Sequence, residues 1–285
     1  MNRTDRIKLN FIRNWTLPGQ ERFARWFAPS PQLKSTLKDG IIWLSNEDIA
    51  LYTTADNYME WTILNTGTYE DEVGKLIKIS LKDGDNALDI GGNIGLQSLR
   101  MAASVGQNGK VYAFEPLQHI QEKFKTNVAL NKANNIKLFE IALSDQEDEI
   151  VYELDRNTWN QGTFSLKNKS TGTDTQKITI KIADNLPEIR QLNSLALIKI
   201  DVEGYEYNVL RGLKETLQKH RPRIIFEYDS NYWVNTQQSI VSCFNFLAEL
   251  GYIIYQISTV GAELINYAAE VTSGNIFCIP KLNNN

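Results

Sequence analysis

The chain has 285 residues, 42% of them hydrophobic, with 30 basic and 34 acidic side chains and a formal net charge of −4. That length and apolar content suffice for one full α/β core with an appendage, and the acidic balance argues against a nucleic-acid partner. No run approaches about 18 apolar residues, which excludes a membrane-spanning helix, and the two cysteines, Cys243 and Cys278, lack a CxxC spacing and read as reduced core thiols of a cytoplasmic protein.

The first 70 residues hold Trp15, Trp26, Trp43 and Trp61, together with Phe11, Phe23, Phe27, Tyr52, Tyr58 and Tyr69. The basic start, MNRTDRIKLN, has no apolar stretch of the kind a secretory leader needs. Helical spacing over Glu21 to Phe27 ends at Pro29 and Pro31, and Ile41 to Leu44 and Ile49 to Tyr52 read as short paired strands around the turn at Ser45 to Asp48. Residues 1–70 are expected to form an N-terminal cap over the ligand face of a main domain at 71–285. Its aromatic rings serve either as the core of a small subdomain or as stacking surfaces for an acceptor.

From Val73 a helical stretch leads into Asn86-Ala-Leu-Asp-Ile-Gly-Gly-Asn-Ile-Gly95, and strands and helices alternate from there on. Lys110 to Phe114 is a short strand. The helix after it carries Leu117, Ile120, Phe124 and Val128 on one face, and Ile136 to Leu143 reads as a third strand. Residues 145–183 break the rhythm: Glu149 to Leu154 and Lys177 to Ile182 alternate like hairpin strands around the polar stretch Asp155 to Gln176, read as a lid or a surface loop. Leu195 to Asp201, Arg223 to Tyr228, Tyr252 to Ile257 and Asn275 to Ile279 complete the strands, with helices after Gly204 and over Gln237 to Leu250. Such alternation predicts a doubly wound, mostly parallel sheet, and the last two strands, joined without a helix, an antiparallel pair at its edge.

The glycine turn is where chemistry is expected. Gly91, Gly92 and Gly95 allow positive φ and close approach of a ligand to the backbone, just before a helix N-terminus. Asp89 at the strand end faces the ligand crevice in this reading and suits a cationic ligand better than a pyrophosphate; S-adenosylmethionine, which carries an ammonium, a carboxylate and a sulfonium, meets that requirement. Asn93 stands where a second glycine of G-x-G-x-x-G would be, which weighs against a nicotinamide dinucleotide and a dehydrogenase. Glu115 lies where an acid accepts hydrogen bonds from a ribose diol, with a helix-start carboxylate as the alternative. Asp201, Glu227 and Asp229 also close strands, and ligands in such sheets lie outside the carboxyl ends.

LDIGGNIG, VYAFEP, IALSD, LIKIDVEGYEYNVLRG and RPRIIFEY together resemble the FkbM family of S-adenosylmethionine-dependent methyltransferases over roughly Gly67 to Pro280. The pairing of D-x-G-x-N-x-G with K-x-D-V-E-G carries the likeness, and Gly92 departs from the alanine usual in the family. The resemblance implies a Rossmann-like class I methyltransferase fold with a seven-stranded sheet, and O-methylation of small hydroxylated molecules such as sugars and polyketides. It implies that Asp89, Gly91, Asn93 and Gly95 surround the methionine part of the cofactor and that Glu115 holds its ribose. Ala142, Leu143, Ser144 and Asp145 would lie near the adenine, and Asp201 beside the amino group and sulfonium.

An alcohol acceptor must lose a proton, and Glu203, Glu227 and Glu70 are the candidates for base or acceptor-positioning group, ahead of His119 and His220. The clustered carboxylates could also hold Mg²⁺, but no tight ligand motif is present and a metal is not favoured. A non-catalytic S-adenosylmethionine-binding partner in a biosynthetic complex is the alternative to an active enzyme.

Overall fold

The computed structural model describes residues 3–15, 20, 22, 24, 40–44, 47–54, 57–153, 175–258, 260–266 and 268–281. Most of the helix expected over Glu21 to Phe27, the turn residues Ser45 and Asn46, and most of the polar stretch from Asp155 fall outside these residues.

Helix α1 (Arg3–Arg13) opens the chain, and strands β1 (Gly40–Trp43) and β2 (Ala50–Thr53) pair antiparallel as the sequence predicts. Helix α2 (Tyr58–Thr66), which is not among the predicted elements, starts at Asn57, whose side chain accepts from the Glu60 N–H, and stops at Gly67 in the left-handed region. Three attachments fix this segment to the main domain. Asn127 and Asn131 exchange hydrogen bonds with the backbone of β2 at Tyr52 and Ala50. Lys123 pairs with the fully buried Glu60 at 2.6 Å, and Arg100 pairs with Glu47 at 2.5 Å.

After α3 (Asp71–Ser80) the main domain alternates. Strand β3 (Asn86–Ile90) is followed by α4 (Leu96–Val105), β4 (Lys110–Phe114) by α5 (Gln118–Leu130), and then comes β5 (Ile136–Phe139). The strand expected over Ile136 to Leu143 breaks at Glu140 and Ile141. Its second half, β6 (Ala142–Ser144), leaves the main sheet and joins the hairpin β7 (Asp148–Glu153) and β8 (Thr175–Ile182) in a three-stranded sheet. The short helix α6 (Pro187–Arg190) leads to β9 (Leu197–Ile200), then α7 (Glu206–Gly212) and α8 (Lys214–His220), and β10 (Arg223–Tyr228). Helices α9 (Ser230–Asn235) and α10 (Ile240–Glu249) precede β11 (Tyr252–Ser258), β12 (Gly261–Leu264) and β13 (Gly274–Pro280).

The large sheet has the order β12-β11-β13-β10-β9-β3-β4-β5. Strands β10, β9, β3, β4 and β5 are parallel, and β13 lies between β10 and β11, antiparallel to both. This is the seven-stranded Rossmann-like arrangement of class I methyltransferases, extended at one edge by β12, which lies in a connection the sequence reading left without a strand. Strand β9 is buried at every residue, as expected of a parallel strand covered on both faces. Period-two alternation divides the core: Ala87, Val111 and Leu197 pack with Val73, Ile77 and Met101, whereas Leu88, Ile90, Ile198 and Phe226 pack with Val209, Leu210 and Trp233. Cys243 and Cys278 are buried, unpaired thiols in the second group.

Candidate cofactor and acceptor cavity

A cavity of about 310 Å³ opens at the carboxyl ends of β3, β4, β9 and β10, close to where the strand order reverses. One wall is the glycine turn. Gly91 and Gly92 both donate to the carbonyl of Phe114, at 3.0 and 2.9 Å, which stitches the turn to the end of β4. Gly91 has φ 79° and Asn93 φ 45°. A Cβ on Gly91 would lie 1.9 Å from the Asp201 carbonyl oxygen, so a side chain there is excluded by backbone as well as by conformation. Gly95 caps α4 with φ 93° and packs on Phe124; it supports the turn from behind and does not line the cavity.

Glu115 ties this wall to the next element. Its Oε2 accepts from the Asn93 N–H at 2.9 Å and its Oε1 from the Leu117 N–H at 3.0 Å. Each oxygen keeps a further acceptor direction, so a diol can still bond there. Burial, only partly offset by these two bonds, pushes the Glu115 carboxyl up to about 7. Phe114, Pro116, Ile141, Ala142 and Leu143 supply an apolar surface beside it.

The opposite end is acidic and aromatic. Asp201, Glu203, Glu227, Asp229 and Glu70 line it with Tyr58, Tyr69, Tyr205 and Tyr232. Glu70 and Glu203 are both held in the left-handed region, at φ 49° and 52°. Non-glycine residues take that conformation at a cost, and a network over-determines both. Gln97 donates to Glu70 Oε2 at 3.0 Å, and Arg100 donates to the carbonyls of Tyr69 and Glu70. Burial and then Asp201 push Glu203 up to about 10, and Asp201 and then burial push Glu227 up to about 9. Glu70 is raised as well, chiefly by burial. Asp229 accepts from the N–H groups of Asn231 and Tyr232 and so caps α9 while facing the cavity.

The floor holds a residue that the sequence reading gave no role. Lys199, 5% exposed, sits in register with Asp89 on the neighbouring strand and reaches Asp201 at 3.0 Å. Asp201, Asp89 and Glu70 keep its ammonium raised against the effect of burial.

Besides Gly95, three predicted cofactor residues lie away from the cavity lining. Asp89 does not face the crevice. It points with Ala87 toward α4, where its Oδ2 accepts from the Ser98 hydroxyl, and it is fully buried with its other oxygen free of any hydrogen bond. Ser144 and Asp145 are turned to α7: the Ser144 carbonyl abuts Gly212, and Asp145 pairs with Arg211 at 2.7 Å and accepts from Asn208. Ala142 and Leu143, two residues and one residue before Ser144, do line the cavity, as do Gly91, Asn93, Glu115, Asp201, Glu203, Glu227 and Glu70. His119 and His220 do not. Among the described residues no group of three or more His, Cys, Asp or Glu side chains is arranged to hold a metal ion, and no helix is long and apolar enough to cross a membrane.

The sheet order, the glycine turn and the acidic strand ends define a class I methyltransferase. The Methyltransferase FkbM domain matches residues 89–254, more than half of the chain. The chain belongs to the FkbM methyltransferase family. "Methyltransferase 1" of Beauveria bassiana is 25% identical over 145 residues, 45% of this chain and 58% of that protein. The AMB antimetabolite synthetase AmbE of Pseudomonas aeruginosa is 28% identical over 198 residues, 56% of this chain and 9% of that protein. The chain thus spans less than two thirds of either curated relative. Among solved structures, a methyltransferase FkbM from Methylobacillus flagellatus aligns with TM-score 0.46 and 13% identity over 70% of this chain and 44% of its own. An S-adenosylmethionine-dependent O-methyltransferase from Thermotoga maritima aligns with TM-score 0.43 and 13% identity, over 89% and 82% of the two chains.

Proposed function

We propose that the protein transfers a methyl group from S-adenosylmethionine to a hydroxyl of a small molecule, of the sugar, polyketide or other natural-product class. The observation that carries this is one continuous cavity with two chemically distinct ends: a glycine turn with Glu115 and an apolar wall, and a rim of carboxyls and tyrosines. Gly91 and Asn93 would border the methionine arm, Glu115 the ribose, and Phe114 with Ala142 and Leu143 the adenine. Asp201 would face the amino group and sulfonium.

The donor supplies an electrophilic methyl group on a positively charged sulfur. The chain's own task is alignment, which supplies much of the acceleration when the reacting atoms are held in line. The tyrosine and carboxyl rim offers hydrogen bonds that suit a polyhydroxylated acceptor, and among the described lining residues the one cation, Lys199, is paired with Asp201. Glu203, Glu227 and Glu70 can take the acceptor's proton only when ionised, and a positive charge held among them favours that form. The N-terminal segment contributes Asn57, Tyr58 and Met59 to the same rim, in keeping with a cap that shapes acceptor choice. The likeness to part of an antimetabolite synthetase supports a biosynthetic setting, and the cytoplasm is the compartment the reduced thiols suit.

The test is calorimetry with S-adenosylmethionine and S-adenosylhomocysteine, followed by mass spectrometry of sugar, polyketide and peptide acceptors incubated with donor and protein. Binding and a mass gain of one methyl on a hydroxylated acceptor are expected. Failure to bind either ligand would overturn the reading, and a methyl on nitrogen or carbon would correct its chemistry.

A further inference from the structure

The loop Val202 to Gly204 carries Glu203 into the cavity, yet nothing in its own sequence stabilises the shape it takes. Glu203 has φ 52° and Gly204 φ 96°, two consecutive left-handed residues of which only the second is glycine. Outside help comes from two side chains. The carboxylate of Glu206, 1% exposed at the start of α7, accepts from the Val202 N–H at 3.0 Å and from the Gly204 N–H at 3.0 Å. The hydroxyl of Thr236, just after α9, has the Gly204 carbonyl as its nearest acceptor at 2.8 Å, with the carbonyls of Tyr232 and Trp233 at 3.1 Å. Both peptide faces of Gly204 are therefore held, the N–H by an acid and the carbonyl by an alcohol. The space beyond Gly204 is closed: a Cβ there would lie 2.8 Å from the Tyr232 carbonyl oxygen.

The loop in turn sets the floor of the cavity. The Asp201 N–H donates to the Ile90 carbonyl at 2.9 Å, and the Asp201 carbonyl lies against Gly91. A shift of Val202 to Gly204 would therefore be felt by Asp201 and by the glycine turn together.

We propose that Glu206 and Thr236 are positioning residues that clamp the Val202–Gly204 loop from its two sides, and that this clamp holds Asp201 and Glu203 in the orientation that binds the methyl donor. Neither side chain lines the cavity, so the effect is indirect. It rests on the reading of this cavity as the S-adenosylmethionine site.

The test is calorimetric titration of the full chain with S-adenosylhomocysteine, in the wild type and in Glu206→Gln, Thr236→Val and Thr236→Ser, each with a thermal melt to confirm folding. Gln keeps the shape of Glu206 and can set its oxygen in the place of Oε1, but its NH2 cannot accept from the Gly204 N–H as Oε2 does, and the charge is gone. Val removes only the hydroxyl, without altering charge. The expected weakening is about tenfold for Glu206→Gln and about threefold for Thr236→Val, the scale of a lost charged and a lost neutral hydrogen bond. Thr236→Ser, which keeps the hydroxyl, is expected to bind as the wild type does. Recovery by serine is a result that loss of packing volume would not give. Wild-type affinity in Glu206→Gln would overturn the proposal, as would weakening in Glu206→Gln with none in Thr236→Val, which would assign the effect to charge alone. Failure of the wild type itself to bind would overturn the cofactor reading and the clamp with it. If Glu206→Gln does not fold, the valine and serine pair decides.

Discussion

Gly91 and Asp201, 110 positions apart in sequence, meet so closely that a single carbon added to the first would overlap the carbonyl oxygen of the second. The turn after β3 and the loop after β9 are thus one interlocked unit, and Gly91→Ala tests it. Alanine would strain φ 79° and displace Asp201 at the same time. A loss of about 2 kcal/mol or more in denaturant stability is expected, with loss of S-adenosylhomocysteine binding. Wild-type stability and binding in this variant would contradict the close approach.

The carboxyls that line the cavity, with Glu206 behind it, should give the protein an unusual stability profile. Burial raises Glu115 and Glu206 to about 7, Asp201 and burial raise Glu227 to about 9, and burial with Asp201 raises Glu203 to about 10. In the unfolded chain these groups lose their protons near their ordinary value of 4.5. Between the two values the folded state binds more protons than the unfolded one. Its stability is therefore fully present below the ordinary carboxyl range and is lost as pH rises through the raised values. The melting temperature is expected to fall from about pH 5 to about pH 10, and Glu203→Gln to make that fall shallower throughout. A variant with the wild-type profile would show that Glu203 ionises freely.

Much of this arrangement was legible beforehand, for reasons that particular residues make clear. The glycine turn and Glu115 could be read because both follow from local chain geometry at a strand end. The buried strands could be read because Leu197 to Ile200 and Ile224 to Phe226 are apolar runs. The strand-end place of Asp89 points to the crevice, whereas period-two alternation puts it on the side of Ala87, where Ser98 meets it. Ser144 and Asp145 turn from the adenine wall because their partners, Gly212 and Arg211, lie on a helix distant in sequence that no spacing connects to them. Lys199 is visible as the first residue of K-x-D-V-E-G, but a lysine inside an apolar strand shows its role only when Asp89 and Asp201 are set around it.

The pair Lys123 and Glu60 joins the N-terminal segment to the main domain across a buried contact. Glu60 is fully buried and also accepts from Thr53, Thr54 and Asn57, so removing the lysine leaves a buried carboxylate short of its countercharge. Lys123→Met is expected to cost about 3 kcal/mol in a denaturant titration, on the scale of breaking one partner of a buried pair. The double variant Lys123→Met with Glu60→Gln should recover part of that loss. Equal losses in both would assign the cost to packing.

Gly74 offers a test in which local propensity and tertiary packing give opposite signs. It lies inside α3, where replacing glycine by alanine ordinarily stabilises a helix by about 1 kcal/mol. Here a Cβ would lie 2.9 Å from the Arg100 guanidinium carbon. That guanidinium cannot move without loss, because it holds both oxygens of Glu47 and the carbonyls of Tyr69 and Glu70. Gly74→Ala is therefore expected to destabilise the fold by about 1 kcal/mol, the worth of about one of these charged bonds beyond the propensity gain. It should also loosen the wall that carries Tyr69 and Glu70, raising the acceptor KM while leaving S-adenosylhomocysteine affinity unchanged. A gain in stability, read from the denaturation midpoint at unchanged slope, would mean that Arg100 gives way freely and that the glycine is there for some reason other than the guanidinium.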